Sequence, residues 1–176
     1  MLKRPIRPLI AVAAAGALLY VGWLGHEHRW RLGFIPASLH VHRVLYAETK
    51  VWGFGPGGNE AGIIVYELPA DAAQAVARQA APYLSTLPGN GRSQYQEWRA
   101  TPIDPPVRVF NRILGSADIC DVICEGPEDL GLRVDPQILR LVNHTLAHPG
   151  AYYSSGRNGL LIIAPATRRA VFVYGK

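Results

Sequence analysis

The feature that most constrains this chain is an uncharged run from Pro8 to His26, close to its N-terminus. The run covers nineteen residues. At a rise of about 1.5 Å per residue, a helix of this length approaches the roughly 30 Å hydrocarbon thickness of a bilayer. Tyr20 and Trp23 lie near its far end, where aromatic rings favour the headgroup level, and charged residues follow from Glu27. The run therefore predicts an uncleaved transmembrane signal-anchor helix.

A cleavable signal peptide is the main alternative to an anchor. Cleavage requires small residues at positions −3 and −1, just after the apolar core. Small pairs such as Ala11 with Ala13 lie inside the core, and cleavage after Gly25 would place Trp23 at −3. These spacings favour the uncleaved anchor, while cleavage and a helix buried in a soluble domain remain as alternatives.

The distribution of basic residues predicts how the anchor is oriented. Three basic residues precede the run and two follow it closely, which favours an N-terminus in the cytoplasm. In a bacterium, this places the anchor in the inner (cytoplasmic) membrane as a single pass, with the C-terminal domain in the periplasm. The expected organisation is a cytoplasmic N-terminus over residues 1–7, a membrane helix over 8–26, a juxtamembrane linker over 27–39 and an extracytoplasmic domain over 40–176.

The net charge of +5 gives little support for nucleic-acid binding once it is located along the chain. Three of the 18 basic residues precede the apolar run, which leaves 15 basic residues facing 13 acidic ones. No basic stripe alternates with aromatic residues, as nucleic-acid surfaces require. The expected partners are therefore the membrane and an unidentified protein, with no nucleic acid and no cofactor.

The remaining sequence predicts one small α+β domain. Two strand-like runs, residues 41–54 and 61–68, flank a glycine-rich turn and predict a β-hairpin. Helices are expected from Pro69, with a kink or an early end at Pro82, and from Asp135. Between these helices, residues 93–100 are expected to form a strand and residues 107–114 a short helix. The end of the chain predicts a three-stranded meander, which gives a mostly antiparallel sheet with two or three helices packed on one face.

The histidines are the first candidate functional residues, because all six occur in close pairs. His40 and His42 are two apart on an expected strand, and His144 and His148 are four apart on an expected helix, so each pair shares a face. Either pair could supply two imidazole ligands to zinc or copper. No third ligand is identifiable, and solvent-exposed histidines without a metal are the simpler interpretation.

Cys120 and Cys124 are the only cysteines in the chain. In an oxidising compartment, two cysteines this close favour a disulfide across a turn, although reduced core thiols and redox or metal chemistry remain as alternatives. Five nearby carboxylates suggest a solvated acidic docking surface rather than a calcium site, because the ordered calcium-loop spacing is absent. They are Asp118, Asp121, Glu125, Glu128 and Asp129.

The glycine-rich segment from Gly53 to Asn59 resembles a phosphate-binding loop only in composition. Phosphate loops join a strand to a helix, whereas this segment joins two expected strands and contains no lysine. A hairpin turn is therefore the expected structure. Trp52 and Phe54 beside it are candidates for an exposed aromatic interaction tip.

These observations favour a membrane-anchored domain that acts by interaction, as an accessory or assembly subunit rather than an enzyme. Two alternatives stay open. The first is a membrane-tethered enzyme or metal-binding protein that uses the paired histidines. The second is a periplasmic domain that binds lipid or another small ligand, which predicts a large apolar cavity.

Overall fold

The computed structural model describes residues 6–52, 59–88, 95, 97–109, 112–124, 131–156 and 159–175. The chain forms an α+β domain preceded by a long helix. The helices are α1 (Ile6–Leu32), α2 (Ala70–Thr86), α3 (Cys120–Ile123) and α4 (Pro136–Ala147), with a single 3₁₀ turn at Ala37–Leu39. The strands are β1 (Arg43–Trp52), β2 (Asn59–Glu67), β3 (Arg99–Ala100), β4 (Val107–Val109), β5 (Arg112–Leu114), β6 (Tyr152–Gly156), β7 (Gly159–Ala164) and β8 (Arg169–Gly175).

Six of the strands form one antiparallel sheet in the order β1-β2-β8-β7-β6-β3. The predicted hairpin is β1–β2, and the predicted C-terminal meander is β6–β7–β8. The remaining two strands, β4 and β5, pair separately. The last strand of the meander, β8, pairs with β2 at the centre of the sheet, and this pairing joins the two ends of the domain.

One face of the sheet, here called the α4 face, presents alternate residues such as Ile63, Leu160 and Val173. Helix α4 covers it with Val142 and Leu146, and α3 and the β4–β5 hairpin complete this layer. Asp135 caps α4 as the sequence predicts, because its side chain accepts a hydrogen bond from the backbone N–H of Gln137 at 2.7 Å.

The opposite face, here called the α1 face, presents the intervening residues, which include Ile64, Leu161 and Phe172. Helix α2 and the residues that follow α1 cover it. The prediction that helices pack on one face was therefore wrong. The central strands β2, β7 and β8 carry nearly unbroken apolar runs, so both faces of the sheet must be removed from water.

The structure differs from two local predictions in the middle of the chain and confirms one. The expected strand over residues 93–100 is described only as Arg99–Ala100. The expected short helix is instead the β4–β5 hairpin, whose first strand alternates buried, exposed and buried residues. The expected kink in α2 is present, because Ala80, two residues before Pro82, leaves helical geometry with φ 57°.

The expected membrane helix is not confirmed by the structure. Among the residues that the structure describes, no helix combines the length and the apolar composition needed to cross a bilayer. Helix α1 itself continues beyond His26 to Leu32, into the segment predicted as a juxtamembrane linker.

Candidate functional site

The histidines His144 and His148 lie on the exposed side of α4, where their rings stack with centroids 4.1 Å apart. The Nδ1 atom of His148 is hydrogen-bonded to the backbone carbonyl of His144 at 2.9 Å. His148 is the extended residue that ends α4, so the two imidazoles lie side by side at the end of the helix.

The second pair, His40 and His42, has a different setting from the one expected. Both residues precede β1, and His40 ends the 3₁₀ turn in the left-handed conformation with φ 49°. The Nε2 atom of His28 donates a hydrogen bond to the carbonyl oxygen of His42 at 3.1 Å. Within the described part of the chain, no three His, Cys, Asp or Glu side chains are grouped so that they could hold a metal ion.

Cys120 and Cys124 form a disulfide, which confirms the favoured sequence interpretation. The single turn of α3 brings their α-carbons to 4.5 Å, within the separation that a disulfide requires. Cys124 also packs against the core of the α4 face. The bond therefore closes a short loop whose inner side belongs to the core.

Hydrogen bonds tie this disulfide loop to α4 through Asn143. Its Oδ1 accepts from the Ile119 backbone N–H at 2.9 Å, and its Nδ2 donates to Asp118 Oδ1 at 2.8 Å. Asp118 also accepts from the Cys120 N–H at 3.0 Å. The predicted acidic surface lies partly outside the described residues, since Glu125, Glu128 and Asp129 fall in the undescribed segment 125–130.

The predicted aromatic tip also lies outside the described residues. The backbone of Trp52 ends β1, but its side chain is not described, and neither is Phe54 or the rest of the glycine-rich segment 53–58.

A polar groove of about 250 Å³ lies between β3, β4 and β6, on the α4 side of the sheet. Its lining includes Glu97 and Arg99, which form an ion pair at 3.2 Å, together with Tyr153. Ser155 Oγ donates a hydrogen bond to the Arg108 carbonyl oxygen at its wall. This groove is small and polar, unlike the large apolar cavity that lipid binding predicts.

An aromatic cluster on the α1 face fixes the end of α1 to the sheet. Phe34 stacks on Phe172 with ring centroids 4.6 Å apart and lies 5.7 Å from Tyr174. Trp30, in the last turn of α1, meets Phe34 edge-on at 4.9 Å. Such ring pairs add to the free energy gained by apolar burial, so the end of α1 is part of the domain core.

Two tyrosine hydroxyls satisfy carbonyl groups where α1 ends. Tyr66 donates to the Arg31 carbonyl oxygen at 2.7 Å, and Tyr95 donates to the Phe34 carbonyl oxygen at 3.0 Å. The last carbonyls of a helix have no partner within the helix, so these bonds replace ones that water would otherwise make. Burial raises the pKa of both tyrosines well above the usual range, which keeps the hydroxyls protonated as donors.

The preceding part of α1 has the opposite character, because its apolar side chains are exposed. Leu18, Leu19 and Val21 are 74%, 76% and 65% exposed, and Trp23 is 58% exposed. Leu18 to Val21 are consecutive residues, and successive residues in a helix are about 100° apart. The exposed apolar surface therefore surrounds this part of the helix instead of forming one stripe against the domain.

The edge of the sheet at β1 is a further exposed feature. Residues Tyr46 to Trp52 pair with β2 in unbroken register, and a bulge at Leu45 interrupts the pairing before them. No described strand pairs with the other side of β1. Val51 in this strand is 64% exposed.

These features define the molecule as an α+β domain with an antiparallel sheet covered on both faces, and the end of the N-terminal helix packs against its core. In comparisons with known proteins, no family model, curated protein or solved structure matches the chain.

The residues that fix α1 to the domain are not identified by any local sequence pattern. Trp30 and Phe34 were assigned to a linker, and Tyr66 was one residue of a strand-like run. Aromatic residues within a predicted linker are the signal that could have indicated packing, because large apolar side chains are usually buried.

Proposed function

We propose that this chain is a membrane-anchored domain that acts outside the cytoplasm by binding another protein. The observation that carries the proposal is the change in character along α1. Its residues from Val12 to Leu24 expose apolar side chains on all sides, whereas Trp30 and Leu32 at the end of the same helix are half-buried against the domain core. A bilayer removes such an all-round apolar surface from water, and the sequence extends the uncharged run back to Pro8.

The contacts at the end of α1 support a rigid connection between this anchor and the domain. The aromatic cluster and the Tyr66–Arg31 hydrogen bond leave no flexible segment between the exposed helix and the sheet. An ion pair between Arg31 and Glu27, at 2.6 Å, spans the last turns of the helix. We therefore propose that the domain has a fixed orientation relative to the membrane surface.

The charge distribution and the disulfide support a domain located outside the cytoplasm. The basic residues before the run favour a cytoplasmic N-terminus, and disulfides persist mainly in oxidising compartments. In a bacterium, the proposed location is the inner (cytoplasmic) membrane, with the domain in the periplasm.

Membrane extraction of the full chain tests the anchor. We expect the protein to stay in the membrane pellet after washing with alkaline carbonate. Two arginines in the exposed stretch, Leu18→Arg with Val21→Arg, should move a large share of the protein to the supernatant, because each charge at mid-bilayer depth costs about 2.5–3.5 kcal/mol. The control variant, Ile113→Arg, changes an apolar residue that is 57% exposed on the domain and should stay in the pellet.

Two further measurements test the location and the interaction. Protease added to spheroplasts should digest the domain without lysis of the cells, and crosslinking in intact membranes should join it to a protein partner. Release of the unmodified chain by carbonate would contradict the anchor. A domain digested only after lysis would contradict the orientation, and a chain that never crosslinks to protein would contradict the interaction.

A further inference from the structure

We propose that β1 is a dimerisation edge, at which a second copy of this chain adds its own β1 in antiparallel orientation. This inference rests on the proposed role in protein interaction and names the partner. The paired sheet would continue from one copy into the other. Three features of the molecule support this dimer: the pairing rules of antiparallel strands, the charges of β1 and the face from which α1 leaves the domain.

The regular part of β1 determines how two copies can align. After the bulge at Leu45, Tyr46 to Trp52 form seven residues in unbroken register with β2, and Thr49 is their midpoint. Along a strand, successive residues direct their backbone N–H and C=O groups to opposite edges. Residues directly opposite in an antiparallel ladder must therefore differ by an even number of positions. Full overlap of the seven residues places Thr49 opposite Thr49 of the second copy.

The charges of β1 favour this same alignment. With Thr49 at the centre, Glu48 lies opposite Lys50 of the second copy, and Lys50 lies opposite Glu48 of the second copy. Moving the centre by one position in either direction places Glu48 opposite itself or Lys50 opposite itself. Opposite charges on directly facing residues stabilise a sheet, and like charges destabilise it. The register with the most overlap is therefore also the one with complementary charges.

The side chains of β1 have orientations that suit this pairing. Lys50 donates to the Gly131 carbonyl oxygen at 3.3 Å, and Tyr46 packs on the same α4 face, so alternation places Glu48 there too. On the α1 face, exposed Val51 would lie opposite Ala47 of the second copy and lose contact with water.

The proposed dimer is compatible with two anchors in one membrane. Two identical strands that pair antiparallel are related by a twofold axis normal to the sheet. Such an axis keeps the α1 faces of both copies on the same side. Since the end of α1 packs on that face, both helices can leave the paired sheet toward the same bilayer.

Charge reversal in β1 tests the proposal with the full chain in detergent, by light scattering after size exclusion. We expect the wild type to be dimeric. Glu48→Lys would create two lysine pairs across the axis and Lys50→Glu two glutamate pairs, so each variant should dissociate roughly tenfold or more readily. The combined variant restores opposite charges and should recover the dimer. Thermal unfolding of each variant shows whether the domain itself remains folded.

Cysteine crosslinking in membranes tests the register. Opposed α-carbons in an antiparallel pair are about 4.5–5.5 Å apart, within the range of a disulfide. The two native cysteines are already bonded to each other. Under mild oxidation, Thr49→Cys should therefore give a dimer of the chain, whereas Ile113→Cys, exposed on β5, should remain monomeric.

Several outcomes would overturn the dimer. A monomeric wild type would do so, and so would equal crosslinking of Thr49→Cys and Ile113→Cys. Capture of a different protein through position 49 would also contradict it. The fourth outcome is a combined Glu48→Lys and Lys50→Glu variant that is folded but does not recover the dimer. Each is distinguishable from failure of the anchor, because a monomeric chain that still resists carbonate refutes the dimer alone. A dimer that carbonate releases refutes the anchor alone.

Discussion

The ring of Tyr174 lies directly over Gly62, its cross-strand neighbour, so that a β-carbon at position 62 would collide with the ring atom Cζ. This close approach lets the side chain cross β2 completely. The hydroxyl of Tyr174 on β8 forms a hydrogen bond with Thr49 Oγ1 on β1 at 2.7 Å. The same ring joins the aromatic cluster around Phe34. A residue without a side chain is therefore needed where the end of α1 meets the sheet.

Gly62→Ala should lower the free energy of unfolding by about 1–3 kcal/mol, the usual effect of an added methyl group that displaces a well-packed side chain. Chemical denaturation monitored by circular dichroism measures this loss. The matched control is Gly115→Ala, where the nearest atom to the new carbon is Asp121 Oδ2 at 3.9 Å. Equal stability of the two variants would contradict the described packing of Tyr174.

The stability of the domain should fall as the pH rises above about 10, the ordinary pKa of tyrosine. Burial raises the pKa of Tyr66 in the folded state, so the unfolded chain loses that proton first and unfolding becomes easier. The contribution is fully present below pH about 10 and is lost on the alkaline side. Denaturation at a series of pH values measures it.

The variant Tyr66→Phe distinguishes two effects of this tyrosine on stability, namely the hydrogen bond that its hydroxyl donates and the pH dependence that its ionisation causes. At neutral pH, the variant should be about 1 kcal/mol less stable, because the Arg31 carbonyl loses the shorter of its two hydrogen bonds and keeps the one from the Phe34 N–H. Above pH about 10, its stability should fall less steeply than that of the wild type, since one titrating group is absent. The same alkaline slope in both proteins would refute the role assigned to burial of this tyrosine.

Removal of the Cys120–Cys124 disulfide should destabilise the domain modestly. A cross-link over so short a loop raises the free energy of the unfolded chain by only about 2 kcal/mol, because it removes little conformational entropy. Reduction should therefore lower the thermal midpoint of the wild type. The variant Cys120→Ser with Cys124→Ser should already have the lower midpoint and should not respond to the reductant. A wild-type midpoint unaffected by full reduction would contradict the prediction.

Asn143→Ala should cost about 1–3 kcal/mol, because the backbone N–H of the buried residue Ile119 loses its acceptor. Hydrogen exchange at Ile119 should become faster in the variant. Arg140→Ala provides the control, since this side chain is exposed on the same helix and should change stability little. Unchanged exchange at Ile119 would show that the Asn143 contact does not hold the disulfide loop on α4.

Local patterns predicted the elements whose signals lie close together in the chain. Asp135 followed by proline fixed the start of α4, and the glycine-rich turn between apolar runs predicted the β1–β2 hairpin. The spacing of Cys120 and Cys124 predicted their bond in the same way. In each case, the interacting groups are only a few residues apart, so propensity and spacing are sufficient.

The candidate interaction surface could not be predicted in this way. The sequence predicts that residues 41–54 form a strand, but not that β1 lies at an edge, because that depends on β8 pairing with β2 more than 100 positions along the chain. The same reason explains why Val107–Val109 form a strand, although the sequence predicts a short helix there. Short segments adopt the structure that tertiary packing stabilises, because their intrinsic preference for helix or strand is weak.

The sequence by itself determined that an α+β domain with an N-terminal hairpin and a C-terminal meander follows a long uncharged run, because periodicity, turn residues and charge act over short distances. Only the tertiary structure decided that Trp30 and Phe34 pack in the core, that helices cover both faces, and that none of the described strands pairs with the outer side of β1. These features depend on side chains distant in sequence that come into contact only when the sheet closes and excludes water.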